Sequence, residues 1–328
     1  MQERIQELNV VAVSLRNTVE LLAKQIDVGL RAANEAVNQA AELAEAEREA
    51  PLLDVPPVVL FDGISHRQMA ETGVVKEDRL GRKRKEKVRQ RGMTLVAYGI
   101  WPDSGQKKVL DFEFGAEEDE ASCTALIARL EERGLRAENG LKEVIIDGSK
   151  GFLAALEMVD LGPVVVQRCV FHKIGNLVEN LEGVEELPRA SRQRLREEVL
   201  GDGAWVYRGQ TKVGAYRRME QFCEKWADKQ PKVVESMRRD FEASVRYYEL
   251  QAEMKAQGQN WSAQYLRSTS ALERENRSLR QKRRQVGVYQ SRKGLEASTY
   301  LVKERAEHHR QERSELWINH QMQRQLAA

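Results

Sequence analysis

The chain has 328 residues, of which 41% are hydrophobic and 32% are charged, so about two domains with a substantial buried core are expected. No stretch approaches the roughly 18 uncharged apolar residues of a membrane helix, and the charged N-terminus MQERIQEL lacks the apolar segment of a secretory signal. These features exclude an integral membrane protein and predict a cytoplasmic one. Three widely separated cysteines (Cys123, Cys169 and Cys223) exclude a disulfide framework.

The net charge of +2 conceals a gradient along the chain. Residues 1–50 contain 5 basic and 9 acidic side chains, whereas residues 261–328 contain 14 basic and 7 acidic ones. Residues 79–91 hold 8 basic side chains among 13 residues. Such a run is either a solvated loop or a surface that neutralises nucleic-acid phosphates. On the second interpretation, the DNA-binding candidates are Arg82, Lys83, Arg84, Lys85 and Lys87.

The N-terminal segment, residues 1–50, is predicted to be a long amphipathic helix. Residues 3–47 contain no proline, and apolar side chains recur every three or four residues. The same pattern fits a coiled coil or a helix packed on its own domain, and both remain open. Pro51, Pro56 and Pro57 end the helix and mark a boundary.

From residue 58 the pattern changes to short apolar strands. We expect strands at 58–61, 93–101, 107–114, 143–146 and 164–171, and helices at 121–133 and 151–159. The turn Pro102–Gly105 joins two of the first three strands, which indicates an antiparallel meander. Three antiparallel strands followed by alternating helices and strands predict an α/β, RNase H-like mixed sheet with helices against it.

The rest of the chain is predicted to be helical. Helices are expected at 173–182, 189–200, 211–228 and 231–255. Residues 181–258 would then be an all-α insertion between two parts of the RNase H-like core, 56–180 and 259–290. Residues 291–328 are expected to form a polar, peripheral helical tail.

Two carboxylates stand out by position. Asp62 and Asp147 each follow a short apolar strand and each precede a glycine. Rigid carboxylates at the edge of a sheet suit Mg²⁺, and a pair of ions can stabilise both the attacking and the leaving oxygen of a phosphodiester. From spacing alone, a simple Asp-Gly turn is an open alternative.

Three blocks of sequence sharpen this interpretation. They are VIIDGSKGFLAAL (144–156), VQRCVFHK (166–173) followed by Asn176, and RSTSALERENRSLR (267–280). With the upstream LFDG (60–63), they closely resemble, in order, the core of bacterial Mutator-type (MULE-like) insertion-sequence transposases of the DDE superfamily. The resemblance extends from residue 56 to 290.

The resemblance implies a DNA transposase that cleaves DNA and transfers strands with metal ions. Its implied triad is Asp62, Asp147 and Glu273, holding two Mg²⁺ ions for which Mn²⁺ can substitute, with Glu275 as a competitor for the third position. It implies that His172 contacts the scissile phosphate or orients a carboxylate. The further DNA-binding candidates are Arg168, Lys173, Asn276, Arg277 and Arg280. The implied partners are insertion-sequence ends and target DNA, bound by a homodimer or higher oligomer associated with the nucleoid.

Some features depart from this family pattern or fit other interpretations. Cys169 and His172 form half of a zinc site without a second pair at suitable spacing, so a buried cysteine with a helix-capping histidine is an alternative. Gly175 stands where the family usually has arginine. Only 61 residues precede Asp62, which leaves little room for the family's helix-turn-helix region. A truncated DNA-binding remnant and another RNase H-like nuclease are therefore the alternative functions.

Overall fold

The computed structural model describes residues 30–77, 79, 81–268 and 270–308, without the side chains of 30–33 and 270–275. Residues 1–29 of the predicted N-terminal helix and 309–328 of the predicted tail lie outside the described residues. Within the described part, no helix is long and apolar enough to cross a bilayer.

A five-stranded mixed sheet forms the centre of the described chain. Its strands are β1 (Val58–Glu77), β2 (Lys83–Trp101), β3 (Gln106–Gly115), β4 (Glu143–Ile146) and β5 (Val165–Arg168). The order across the sheet is β3-β2-β1-β4-β5. The first three strands pair antiparallel, whereas β4 pairs parallel with both β1 and β5. The predicted α/β class, with a meander followed by parallel strands, is confirmed at this level.

Helices cover the sheet and fill the region between β5 and the last core segment. They are α1 (Leu30–Glu49), α2 (Glu120–Glu132), α3 (Lys150–Met158), α4 (Val170–Glu179), α5 (Arg189–Val206), α6 (Lys212–Trp226), α7 (Pro231–Arg238), α8 (Phe241–Ser244), α9 (Tyr247–Ala256), α10 (Ala263–Leu266), α11 (Ser270–Val286) and α12 (292–308). Short 3₁₀ turns lie at Ala137–Asn139 and Val184–Glu186.

The sheet separates two buried clusters because successive strand side chains point to opposite faces. Val59, Phe61 and Ile146 face α2 and α3, packing against side chains that include Leu126 and Phe152. The alternate residues of β1 and β4 face the insertion helices and α11. Asp62 follows Leu60 in this alternation, so it belongs to the α11 face of the sheet.

The predicted insertion helix 231–255 is wrong as a single element. It is divided into α7, α8 and α9. The break falls at Asp240, whose φ of 55° lies in the left-handed region that aspartate tolerates better than most residues. Apolar periodicity continues through the break because all three pieces contribute to the same core, and this continuity conceals the turn in the sequence.

The C-terminal segment is not peripheral where it is described. Leu295 and Ala297 of α12 are fully buried, and Ala297 and Leu301 pack against Ala40 and Ala41 of α1. These buried contacts make α12 part of the folded core rather than a tail. The small alanine side chains allow the two helices to approach closely.

Glu143 is a buried carboxylate that opposes folding. It is 0% exposed on β4, and neither carboxylate oxygen has a hydrogen-bond partner among the described residues. Burial raises the pKa of Glu143 well above its usual value. The folded state therefore holds a proton that the unfolded chain releases above its ordinary pKa, so this group lowers stability as the pH rises from about 4.5.

We expect Glu143→Met to raise the free energy of unfolding at pH 8 by about 1–3 kcal/mol, because an apolar side chain of similar volume leaves no unpaired polar group. The gain should be smaller at pH 5. Urea denaturation at the two pH values measures both effects, and Glu143→Gln, which removes the titration but keeps a polar group, should gain less. A Glu143→Met protein less stable than the native one at pH 8 contradicts this account.

Candidate active site

Asp62 lies on β1, and Asp147 directly follows β4, the parallel neighbour of β1. Val58 pairs with Glu143 and Leu60 with Ile145, and the same offset relates Asp62 to Asp147. Neighbouring strands lie about 4.8 Å apart, and residues in register point to the same face of the sheet. The two carboxylates therefore converge on one side, at the point where β4 ends.

The two aspartates are held differently. Asp62 is not at the end of its strand, as the sequence suggested, but inside β1, paired with Val96 of β2 and 4% exposed. Asn276 of α11 donates its side-chain N–H to Asp62 Oδ2 at 2.7 Å. Asp147 follows β4, and its Oδ1 accepts the backbone N–H of Ser149 at 2.8 Å. Both carboxylates are thus oriented by fixed donors.

Glu118 is a further carboxylate at this site that sequence reasoning missed. Burial and the negative charges of Asp147 and Asp62 raise the pKa of Glu118 to about 7. Its Oε1 is buried without a hydrogen-bond partner among the described residues. It lies in the loop between β3 and α2, within the acidic run Glu117–Glu120, and that run is the one sequence signal that points to it.

His172 lies in the first turn of α4, beside both aspartates. Burial lowers the pKa of His172, but the hydrogen bond and charge of Cys169 and the charges of Asp62 and Asp147 outweigh it and raise the pKa to about 9. The imidazole is therefore protonated at neutral pH and can donate from both ring nitrogens. Cys169 itself is fully buried, so the Cys-x-x-His motif packs against the site.

Arg168 lies directly over Gly148. A Cβ atom at Gly148 would fall 1.2 Å from Arg168 Nη1, and Gly148 has a φ of +89°, so only glycine fits there. This close approach explains why a glycine follows Asp147. It brings the Arg168 guanidinium beside the Asp147 segment, where it supplies positive charge.

The prediction that Lys173 and Asn276 bind DNA is wrong, because both side chains are buried. Lys173 is 2% exposed, and its ammonium donates to the backbone carbonyls of Ser236 (2.6 Å) and Arg239, so it joins α4 to α7 rather than facing DNA. Asn276 is 0% exposed and bonds to Asp62. It therefore acts on the carboxylate and not on a phosphate.

The other predicted DNA-binding cations lie on the surface. Beyond the reach of β3 and β4, residues 66–77 of β1 and 83–91 of β2 continue as a two-stranded extension, which we call the β-arm. The basic run therefore lies largely on β2 rather than in a loop, and its exposed cations include Arg82, Lys83, Arg84, Lys85 and Lys87. Lys85 pairs with Glu71 across the arm at 2.9 Å. On α11, Arg277 is exposed and Arg280 is half-buried.

The third predicted metal ligand is Glu273. Glu273 lies on α11, one turn before Asn276, but its side chain and that of Glu275 lie outside the described part of the structure. Among the described residues, no three His, Cys, Asp or Glu side chains are grouped so that they could hold a metal ion. The described half of the candidate site is therefore Asp62 and Asp147, with Glu118 and His172 beside them.

Comparison with sequence models of protein families shows the family of this chain. The sequence model described as "Transposase, Mutator family" matches residues 73–312, well over half of the chain. The chain belongs to the Mutator family of transposases. The match includes Asp147, His172 and Glu273, while Asp62 precedes it.

Curated relatives of this Mutator-family chain are insertion-sequence transposases. It is 26% identical over 292 residues to the transposase for insertion sequence element IS406 of Burkholderia multivorans, covering 86% of this chain and 64% of the relative. It is 26% identical over 208 residues to that for IS905 of Lactococcus lactis, covering 63% and 46%. The chain thus spans between about half and just under two thirds of the length of these relatives.

Among solved structures, this Mutator-family chain has a distant likeness to the Drosophila P element transposase strand transfer complex. The identity is 10%, with 94% of this chain and 78% of that chain covered, and the TM-score is 0.35. This likeness is too low to carry an argument about the site.

Proposed function

We propose that this chain is a DNA transposase that cleaves phosphodiester bonds at the ends of an insertion sequence and joins them to target DNA. The observation that carries the proposal is the placement of Asp62 on β1 and of Asp147 directly after β4, its parallel neighbour, in a chain of the Mutator family. The strand order β3-β2-β1-β4-β5, with parallel strands after an antiparallel meander, supports an RNase H-like core.

The residues present fit a divalent cation. Glu118 has a buried, unpartnered oxygen, and its raised pKa reflects burial and the unneutralised charges of Asp147 and Asp62. Oxygen ligands of this kind are those that Mg²⁺ and Mn²⁺ prefer. We propose that Asp62, Asp147 and Glu273 hold two such ions, which when bound supply positive charge to the attacking and leaving oxygens of the phosphodiester.

The protein's own groups would prepare this chemistry. Asn276 holds Asp62, and the Ser149 N–H holds Asp147, so neither carboxylate has to reorient when substrate binds. His172 would donate a hydrogen bond from a ring N–H to a phosphate oxygen, and Arg168 would add positive charge nearby. Two copies of the chain are expected to act together because two DNA ends have to be joined to one target.

Cleavage and joining of defined DNA ends test the proposal. Duplexes carrying the genomic sequences that flank the gene are incubated with the protein, a circular target DNA and Mg²⁺ or Mn²⁺. We expect nicked ends and end-to-target joined products that disappear with a chelator. Nicking without joining supports a nuclease instead. Binding of these duplexes without cleavage in either metal supports a non-catalytic DNA-binding remnant.

A further inference from the structure

A second polar site lies along the same strand and helix as the candidate carboxylates. A pocket of about 400 Å³ opens between β1, β2 and α11. Its lining includes His66, Arg67, Arg91, Arg280, Arg283 and Arg284. No carboxylate of the described residues lines it. A pocket with this composition favours an anionic ligand.

Two buried nitrogens in the lining lack partners. His66 is 4% exposed, and its Nδ1 lies 3.1 Å from the Thr94 hydroxyl, while its Nε2 is buried without a hydrogen-bond partner among the described residues. Arg283 is 7% exposed and donates Nη1 to the Ile64 carbonyl at 2.9 Å, while its Nη2 is buried and likewise unpartnered. An unpaired buried donor costs about 1–3 kcal/mol, so Arg283 Nη2 points to an acceptor that binds there.

The charge around these nitrogens is one-sided. Arg67 of β1 and Arg91 of β2 are directly paired in the strand register, and like charges at such a position destabilise a sheet. Burial and the positive charge of Arg283 lower the pKa of His66 to about 4. A bound anion relieves the repulsion between these groups.

We propose that this pocket binds a phosphate group. Guanidinium groups present donors that match phosphate oxygens. In the tautomer whose Nδ1 accepts the Thr94 hydroxyl, the neutral His66 ring carries its proton on Nε2 and adds a further donor. The source of the phosphate is either a free anion or the backbone of a DNA substrate. Assigning it to DNA rests on the proposed function, whereas the anion site itself does not.

The geometry favours the DNA backbone as the source. α11 contacts Asp62 through Asn276 and reaches the pocket through Arg283, two turns later. Seven helical residues span about 10.5 Å, which corresponds to about three steps of 3.4 Å along one strand of a duplex. A strand whose cleaved phosphate lies at the aspartates would therefore present another phosphate at the pocket.

The test uses a variant that removes pocket charge without disturbing buried groups. Arg67 and Arg91 are both exposed, so Arg67→Ala/Arg91→Ala should fold normally, which thermal unfolding checks. The matched control is Arg194→Ala/Arg196→Ala on α5, which removes the same charge from an exposed helix surface distant in sequence from the pocket. All measurements are made in EDTA, so that binding is separated from cleavage.

Two probes distinguish the sources. Inorganic phosphate should bind the native protein in calorimetric titration, and the pocket variant should bind it at least tenfold more weakly, with the control unchanged. With the flanking DNA duplex, the slope of log affinity against log salt should fall in magnitude by about 0.9 in the pocket variant, as expected for one lost phosphate contact, and stay the same in the control.

The outcomes of the two titrations distinguish a DNA phosphate from a free anion. Loss in both arms supports a pocket for a DNA phosphate. Loss of inorganic phosphate with an unchanged DNA slope supports a site for a free anion. If neither arm distinguishes the pocket variant from its control, the proposal is overturned. Since no metal is present, this failure is independent of whether Mg²⁺-dependent cleavage is observed.

Discussion

Replacing Asp147 with asparagine is expected to lower the rate of Mg²⁺-dependent DNA cleavage about a thousandfold. In the proposed function Asp147 binds a metal ion, and losing such a carboxylate removes several kcal/mol of transition-state stabilisation. Each 1.36 kcal/mol corresponds to a factor of ten in rate. The asparagine oxygen can still accept the Ser149 N–H that Asp147 Oδ1 accepts at 2.8 Å, so the local fold should survive. Asp62→Asn should have a similar effect, and cleavage of flank-derived duplexes measures both.

The control for this prediction is Asp228→Asn, which changes one exposed carboxylate between α6 and α7 in the same way. Its cleavage rate should equal that of the native protein. DNA affinity measured without metal should be retained in all three variants, so that a loss of rate is assigned to chemistry. Asp147→Asn protein that cleaves and joins DNA at the native rate refutes the assignment of Asp147.

Replacing Asp111 with alanine is expected to cause the largest loss of stability, about 3–5 kcal/mol. The Asp111 carboxylate is fully buried on β3. Its Oδ1 accepts a hydrogen bond from Nε of Arg48 on α1 at 3.0 Å, and its Oδ2 accepts one from Nε of Arg129 on α2 at 2.7 Å. Nη1 of Arg133, whose side chain is also buried, lies 3.5 Å from Asp111 Oδ2. Removing the shared carboxylate leaves Arg48 and Arg129 with Glu113, at 3.2 and 2.9 Å, as their remaining counter-charge. Breaking a buried ion pair by removing one partner costs about this much.

Urea denaturation measures this loss. Glu220→Ala is the matched control, because Glu220 pairs with Arg238 at 2.6 Å while both side chains are about half exposed. An exposed pair contributes about 0–1 kcal/mol. Equal losses in the two variants contradict the view that the Asp111 cluster fastens α1 and α2 to the sheet.

The sequence pattern identifies the two aspartates but does not show that they lie close together. Each Asp-Gly pair after an apolar run is visible as a local pattern, whereas the register that sets Asp62 level with Asp147 depends on pairing between β1 and β4. Pairing also explains why Asp62 lies inside its strand: β1 continues past it as one side of the β-arm, whose polar residues lack the apolar alternation by which strands are recognised.

Residues whose roles depend on distant elements were missed or misassigned. Glu118 reaches the aspartates from a loop whose position is set by the packing of α2 on the sheet. Lys173 follows His172 in a basic-looking motif, yet α7 covers it and supplies carbonyl acceptors. Gln167 of the same motif likewise joins β5 to the insertion, donating to the Ser244 carbonyl at 2.9 Å. Local sequence gives no sign of these contacts.

The most direct test of the proposed active site is the number and affinity of Mn²⁺ ions bound, measured by electron paramagnetic resonance with the flanking duplex present. We expect the native protein to bind Mn²⁺ and the Asp62→Asn/Asp147→Asn protein to bind it at least tenfold more weakly, since even residues that only orient metal ligands change affinity by about 10–100-fold. Asp228→Asn should match the native protein. Equal Mn²⁺ binding by the native and doubly substituted proteins would contradict a metal site at these two aspartates.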